Sequence, residues 1–374
     1  LRIPEADLSE TRSGVLPSQA IRALIASGAI SAPAPFERDQ VQPASLDLRL
    51  GARAWRVRAS FLAGASRRID QRLGDFAMHG IDLTGGAVLE TGCVYLVELM
   101  ERLALPADVG AAANAKSSTG RLDLFTRVIT DRGVEFDRVE PGYEGPLYAE
   151  ISPRTFSVLA RSGARLTQIR LRRGAATFTD SQLGFIHRAN ALVDGAAHID
   201  GGLAFSVDLS EHPDRPIGWR ARPHSGLIDL GRIDHYDPLD FWDPVVRRVG
   251  GGVILDPGAF YILVSRESVH VPPDCAAEMV PYMAVAGEFR VHYAGFFDPG
   301  FGHAASGGAG SRAVLEVRCH EAPFALEDGQ IVGRLVYEPM LETPDILYGS
   351  GIGSTYQAQG LRLSKHFRHA TFGR

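Results

Sequence analysis

The sequence predicts a mainly β protein of two tandem domains, residues 1–174 and 175–374, with a few short helices. Three observations carry this prediction. The 41 glycines and 22 prolines supply many short turns, which suits strands better than helical bundles. Apolar residues come in short runs entered through glycine, Val94–Val97 after Gly92 and Phe260–Val264 after Gly258. Ser45–Leu50 alternates apolar and polar residues with the period of a half-buried strand. Finally, the chain repeats itself. LETGCVYLVELMERLALPADVG from Leu89 returns as LDPGAFYILVSRESVHVPPDCA from Leu255. Gly92, Tyr95, Pro106, Asp108, Glu150 and Gly163 are matched 166 residues later by Gly258, Tyr261, Pro272, Asp274, Glu316 and Gly329. SLDLRL from Ser45 and SVDLSE from Ser206 align at an offset of 161.

The join of the two copies falls near the basic segment Arg170–Arg173 and the turn-like Gly174. A helix precedes the first copy: Pro17 stands near its start, Ile21, Leu24 and Ile25 form one face, and Gly28 stops it. TDSQLGFIHRANALV from Thr179 reads as a helix opening the second copy.

The net charge of −5 argues against a protein that holds long nucleic acid through phosphate contacts, and points to a small ligand. No apolar run reaches the ~18 residues of a membrane span, and the N-terminus lacks the layout of a signal peptide. Cys93, Cys275 and Cys319 lie too far apart for a CxxC metal knuckle and read as buried thiols of a cytoplasmic protein.

The stretch AKSSTGRLDLFTRV from Ala115 is the most informative. Lys116, Ser117 and Ser118 offer a cation, two hydroxyls and consecutive backbone donors, a turn able to hold phosphate oxygens, and Arg121 adds a permanent charge. By residue type alone a solvated loop explains this turn equally well. Glu140-Pro141-Gly142-Tyr143 then makes a tight turn into a strand on which Tyr148 and Glu150 share one face. A strand glutamate in a pocket is a candidate general base; an exposed strand position is the alternative.

QPASLDLRLG (42–51), LPAD (105–108), KSSTGR (116–121), DRVEPGYEG (137–145) with AEI (149–151), and YGSGIGSTYQAQG (348–360) occur in the order found in dCTP deaminases, and the chain resembles that family in a two-copy form. The resemblance implies two dUTPase-like distorted β-barrel or jelly-roll domains. It also implies hydrolysis of dCTP to dUTP and ammonia, which supplies dUTP for dTMP synthesis, and a homo-oligomer.

Carried over by the resemblance, Lys116, Ser117 and Ser118 grip the triphosphate, Arg121 helps to set the site, and Glu150 activates water. Arg138, Glu140 and Tyr143 line the nucleotide pocket, while Tyr348, Tyr356 and Gln359 belong to a flexible lid over the phosphates. Three positions depart from the family pattern: Lys116 stands where Arg is usual, Glu140 where Asp is usual, and Thr355 where Lys is frequent. Extra residues also occur around Asp131-Arg132-Gly133.

Zinc deaminases require an HxE…PCxxC layout, which this sequence lacks; His187, His198, His212 and His224 stand apart in turn-rich segments. The expected chemistry is therefore a zinc-free attack of water on C4 of cytosine. Glu150 acts as base, with its pKa raised by burial, and Ser117 or a backbone carbonyl orients the water. Magnesium (Mg2+) is expected to arrive with the triphosphate, held by phosphate oxygens.

In the second copy the Ser-Ser turn is replaced by MVPYMAVAG from Met279, so Glu316 reads as a relic, HAASGGAGSR (303–312) as a mobile loop, and DHYDPLDFWDP (234–244) as a packed surface loop or subunit contact. The alternatives are a dUTPase or a bifunctional enzyme forming dUMP, with Glu140 directing water at the α-phosphate, and a nucleotide sensor without turnover.

Overall fold

The computed structural model describes residues 13–212, 215–246, 252–281, 289–292, 295–319, 322–349 and 360–369. Helix α1 (Ser18–Ala26) starts after Pro17 and ends before Gly28, which adopts φ +81 where a side chain would strain; Ser18 and Ile21 are its fully buried residues. The first half continues with β1 (Leu46–Val57), α2 (Ile69–Phe76), β2 (Val94–Ala104), β3 (Val109–Ala115), the single turn α3 (Ser117–Gly120), β4 (Leu124–Thr130), β5 (Glu144–Pro153) and β6 (Arg165–Arg173). These strands pair antiparallel in the order β4–β5–β2–β1–β6–β3.

The second half opens with α4 (Asp180–Ala189). Thr179 and Gln182 form a capping box there: Thr179 Oγ1 accepts from Gln182 N at 3.3 Å, and Gln182 Oε1 accepts from Thr179 N at 2.9 Å. Strands β7 (Gly218–Ala221), β8 (Phe260–Val269), β9 (Cys275–Pro281), β10 (Ser311–Cys319) and β11 (Ile331–Pro339) follow; β7–β8–β10 run in one sheet and β9–β11 in another.

The pairing registers of the two halves coincide. Glu150 stands opposite Leu96 across β5 and β2, and Glu316 opposite Ile262 across β10 and β8. Likewise Thr167 pairs with Ala115 and Gly333 with Pro281. Each partner moves by the same 166 positions. Register decides which side chains face the core, so both halves direct the same positions inward.

One segment departs from the sequence reading. The basic join is the end of β6, and Arg170 there has no exposed surface; Gly174, at φ +65, makes the turn that follows. The run 234–244 is a surface loop that buries three residues, Pro238, Phe241 and Trp242, in the core. Trp242 is fully buried, with its ring 5.3 Å from Phe156, 6.0 Å from Phe260 and 5.9 Å from Phe367. One apolar cluster therefore runs from the first half through Trp219, Trp242 and Phe260 of the second to Phe367. The segment 303–312 forms a compact turn in which His303 Nδ1 accepts from Ala305 N at 3.1 Å and Ser306 Oγ donates to His303 O at 2.9 Å. Among the described residues no helix is long and apolar enough to cross a membrane.

Candidate active site

Strand β3 delivers Lys116 to the start of α3, whose turn is closed by Gly120 N donating to Lys116 O at 2.9 Å and Arg121 N to Ser117 O at 3.1 Å. The chain then turns sharply through Asp123, a non-glycine residue at φ +53. That conformation is disfavoured and persists because its surroundings over-determine it. Asp123 N donates to Gly120 O, Asp123 O accepts from Arg154 N, and its carboxylate accepts from Thr155 Oγ1 at 2.6 Å and pairs with Arg318 of β10. The two halves are thus tied together directly behind the turn.

The turn faces a cavity of about 550 Å³ between the halves, within the usual size of a small-molecule site. Lys116, Ser117, Ser118 and Arg121 all line it, as the sequence predicts. Lys116 forms an ion pair with the buried Asp47 of β1. Arg165, which also lines the cavity, pairs with Asp39 at 3.0 Å and lies 3.7 Å from Asp47. Lys365 joins them at the same rim, and burial pushes its ammonium below the usual lysine value. One end of the cavity therefore gathers three cations.

The carboxylate that meets this turn is Glu316, not Glu150. Glu316 lines the cavity from β10, 3.8 Å from Arg121 Nε, and both side chains are almost inaccessible to solvent. Burial pushes its carboxyl up to about 8, with Arg121 opposing the shift. Glu150 occupies the equivalent register on β5 but lies away from the cavity. It is paired with Arg127 across the strands, with Nε 3.2 Å from Oε1. Arg127 in turn lies over the ring of Phe136 at 3.4 Å and donates to Ser60 Oγ at 2.8 Å. The reason lies in topology: α3 projects across the boundary toward the other half, so a turn and the glutamate of its own copy do not meet.

The same reasoning moves the pocket-lining turn. Arg138 and Glu140 are exposed and paired with each other at 2.7 Å, and Tyr143 donates from Oη to Pro146 O at 2.6 Å; none of the three lines the cavity. Their counterparts do. Asp298-Pro299-Gly300-Phe301 repeats Glu140-Pro141-Gly142-Tyr143, and Asp298 and Phe301 stand in the cavity wall beside Phe296 and Phe297. This match, DPGF against EPGY, was the available signal for the second half's share of the site. Asp298 is buried, and that burial raises its carboxyl above the ordinary range.

The tail is divided. Tyr348 lines the cavity, its N donates to Pro299 O at 2.8 Å, and its ring lies 5.4 Å from Phe301. Tyr356 and Gln359 lie outside the described residues. The segment 360–369 returns to the first half and buries Leu363, Ser364, His366 and Phe367 while its two ends stay exposed: Ser364 Oγ donates to Ser118 O at 2.7 Å, and Arg121 Nη1 donates to Arg362 O at 3.0 Å. His366 lines the cavity, and burial pushes its imidazole down to about 4.

Residues 12–175 match the family model of the N-terminal domain of 2'-deoxycytidine 5'-triphosphate deaminase, and residues 179–367 match that of its C-terminal domain. The chain belongs to the dCTP deaminase family. A crystal structure of 2'-deoxycytidine 5'-triphosphate deaminase from Agrobacterium tumefaciens superposes with a TM-score of 0.86 at 56% identity, covering 90% of this chain and 100% of that one. A dUMP-forming dCTP deaminase of Halobacterium salinarum is 30% identical over 174 residues, 43% of this chain and 84% of the relative. A dCTP deaminase of Haloarcula marismortui is 30% identical over 132 residues, 35% of this chain and 65% of that one.

Proposed function

We propose that the chain hydrolyses dCTP to dUTP and ammonia at one site built between its halves. The observation that carries this reading is the convergence of Ser117 and Arg121 from the first half with Glu316 from the second on one cavity. The matching registers support reading the halves as copies, each of which has kept a different part of the site. The described lining draws on both halves of the chain.

In this reading the triphosphate, with its magnesium, meets the cationic rim of Lys116, Arg165 and Lys365, and the nucleoside reaches inward to Glu316. Water attacks C4 of cytosine while its proton passes to the Glu316 carboxylate. Arg121, 3.8 Å away, steadies that carboxylate in its charged form, and the Ser117 hydroxyl orients the water. Glu316 then returns the proton to the amino group, the C4–N bond breaks and ammonia leaves, and the proton left on the C4 hydroxyl passes to N3, giving the C4 carbonyl and N3–H of dUTP. A group titrating near 8 suits both proton transfers near neutral pH.

A second reading, further hydrolysis to dUMP, draws on Asp298, a carboxyl in the same cavity able to direct a water at the α-phosphate. Incubation with dCTP and magnesium followed by chromatography separates the two. dUTP with ammonia is the expected product, dUMP with pyrophosphate establishes the second reading, and binding without product overturns both.

A further inference from the structure

The cavity wall opposite the Ser117–Arg121 turn belongs to the second half, yet a side chain of the first half holds it. Arg170 leaves β6 with no exposed surface and crosses the boundary. Its Nη1 donates to Ala277 O at 2.9 Å, and its Nη2 to Asp298 Oδ1 at 2.9 Å and to Phe297 O at 3.3 Å. Its guanidinium carbon stands 4.1 Å from the centroid of the Phe296 ring, and Glu338 Oε2 lies 3.7 Å from Nη1. Phe296, Phe297 and Asp298 all face the cavity.

The position 166 residues beyond Arg170 is Val336, so only one of the two equivalent places carries this grip. A buried ion pair used for folding alone is commonly replaceable by apolar packing. Here one guanidinium meets three successive residues of a ligand wall, donating from Nη2 to Phe297 and Asp298 and lying over the ring of Phe296, while Nη1 holds Ala277 O; this fork geometry fixes orientation as well as distance.

We propose that Arg170 is a positioning residue for substrate: it holds Phe296, Phe297 and Asp298 where the nucleoside of dCTP must seat, and so makes binding depend on the contact between the halves. This rests on reading the cavity as the dCTP site. With the phosphates at the cationic rim and C4 at Glu316, the sugar and base lie against this wall. Arg170 touches neither Glu316 nor the turn that carries Arg121, so it acts on binding geometry and leaves the base alone.

The test is steady-state kinetics of Arg170→Met, which keeps an unbranched apolar stem and removes the fork, beside Arg170→Lys and Asp298→Asn. In Arg170→Met, KM for dCTP is expected to rise about 10-fold or more, the scale of effect that small misplacements of a substrate-positioning group produce. kcat should stay within about 3-fold, with its acid limb unmoved, since the base is untouched. Arg170→Lys should recover part of the KM. The double variant Arg170→Met with Asp298→Asn should bind no worse than the weaker single variant, because the two act through one bond. If Arg170→Met does not fold, Asp298→Asn and Arg170→Lys carry the same KM test in folded protein. A merely structural anchor would lower melting temperature and kcat through loss of active enzyme, with KM unchanged, and that result overturns the proposal. A wild-type protein that makes no product from dCTP counts instead against the reading of the site.

Discussion

Replacing Glu316 by glutamine removes a carboxyl that the fold holds neutral, and the consequence for stability follows from its titration. Burial lifts the group from about 4.5 in its ordinary state to about 8 in the folded chain. A carboxyl raised in this way binds its proton more tightly when folded than when unfolded. Its favourable contribution is therefore fully present below about pH 4.5 and is lost as pH rises toward 8. The window spans some three and a half pH units, which sets a ceiling of about 5 kcal/mol; water entry and relaxation on ionisation reduce it. Glu316→Gln has no such titration. Asp137, raised to about 7 by its own burial, and Asp298, also raised by burial, have the same sign, so the wild-type curve alone mixes all three groups. The difference between variant and wild type isolates Glu316. Urea unfolding at pH 5, 7 and 9 should show Glu316→Gln gaining on wild type by at least about 1 kcal/mol between the ends, a conservative share of that ceiling. Parallel stability curves, or a variant that loses ground as pH rises, would show that Glu316 is not a buried neutral carboxyl.

Other perturbations test the surrounding framework. Trp242→Ala empties the centre of the aromatic cluster between the halves and should cost about 3–5 kcal/mol in chemical unfolding. A chain ending at Gly360 loses Phe367 and the Ser364 bond to Ser118, so its melting temperature should drop along with turnover; an unchanged melting curve would show that the segment is not core. The pH profile of kcat/KM should have its acid limb near 8, from Glu316, and keep that limb in His366→Gln, since His366 titrates near 4. Arg127→Met releases Glu150 from its ion pair outside the cavity and should leave turnover close to that of wild type.

Much of this was legible in the sequence. Pro17 and Gly28 bracket α1, Thr179 and Gln182 begin α4, and the glycine-entered runs became β2 and β8, because such signals are local. The 166-residue offset carried through to the pairing registers. What the repeat does not encode is which copy faces which. Glu150 lies within the same copy as Ser117, and sequence proximity favoured that pairing; α3 instead reaches across to β10. The two copies also differ in complementary ways. The first retains KSS and carries Glu140 at the acidic position, while the second has lost the hydroxyl pair and carries Asp298 there. That complementarity was an available signal for one shared site, which the assignment of the base to the first copy did not use. The burial of Arg170 had no sequence signal, since a basic strand end next to a glycine turn reads as surface.

The central claim is that Glu316, and not Glu150, is the base for the Ser117–Arg121 turn. Its most direct test is the turnover of dCTP by Glu316→Gln and Glu150→Gln, measured side by side at saturating substrate and pH 8. Glu316→Gln should bind dCTP and lose about 10²-fold or more in kcat, the usual scale for removing a general base, while Glu150→Gln keeps most of its activity. Full turnover by Glu316→Gln, or an equal loss in Glu150→Gln, contradicts the account.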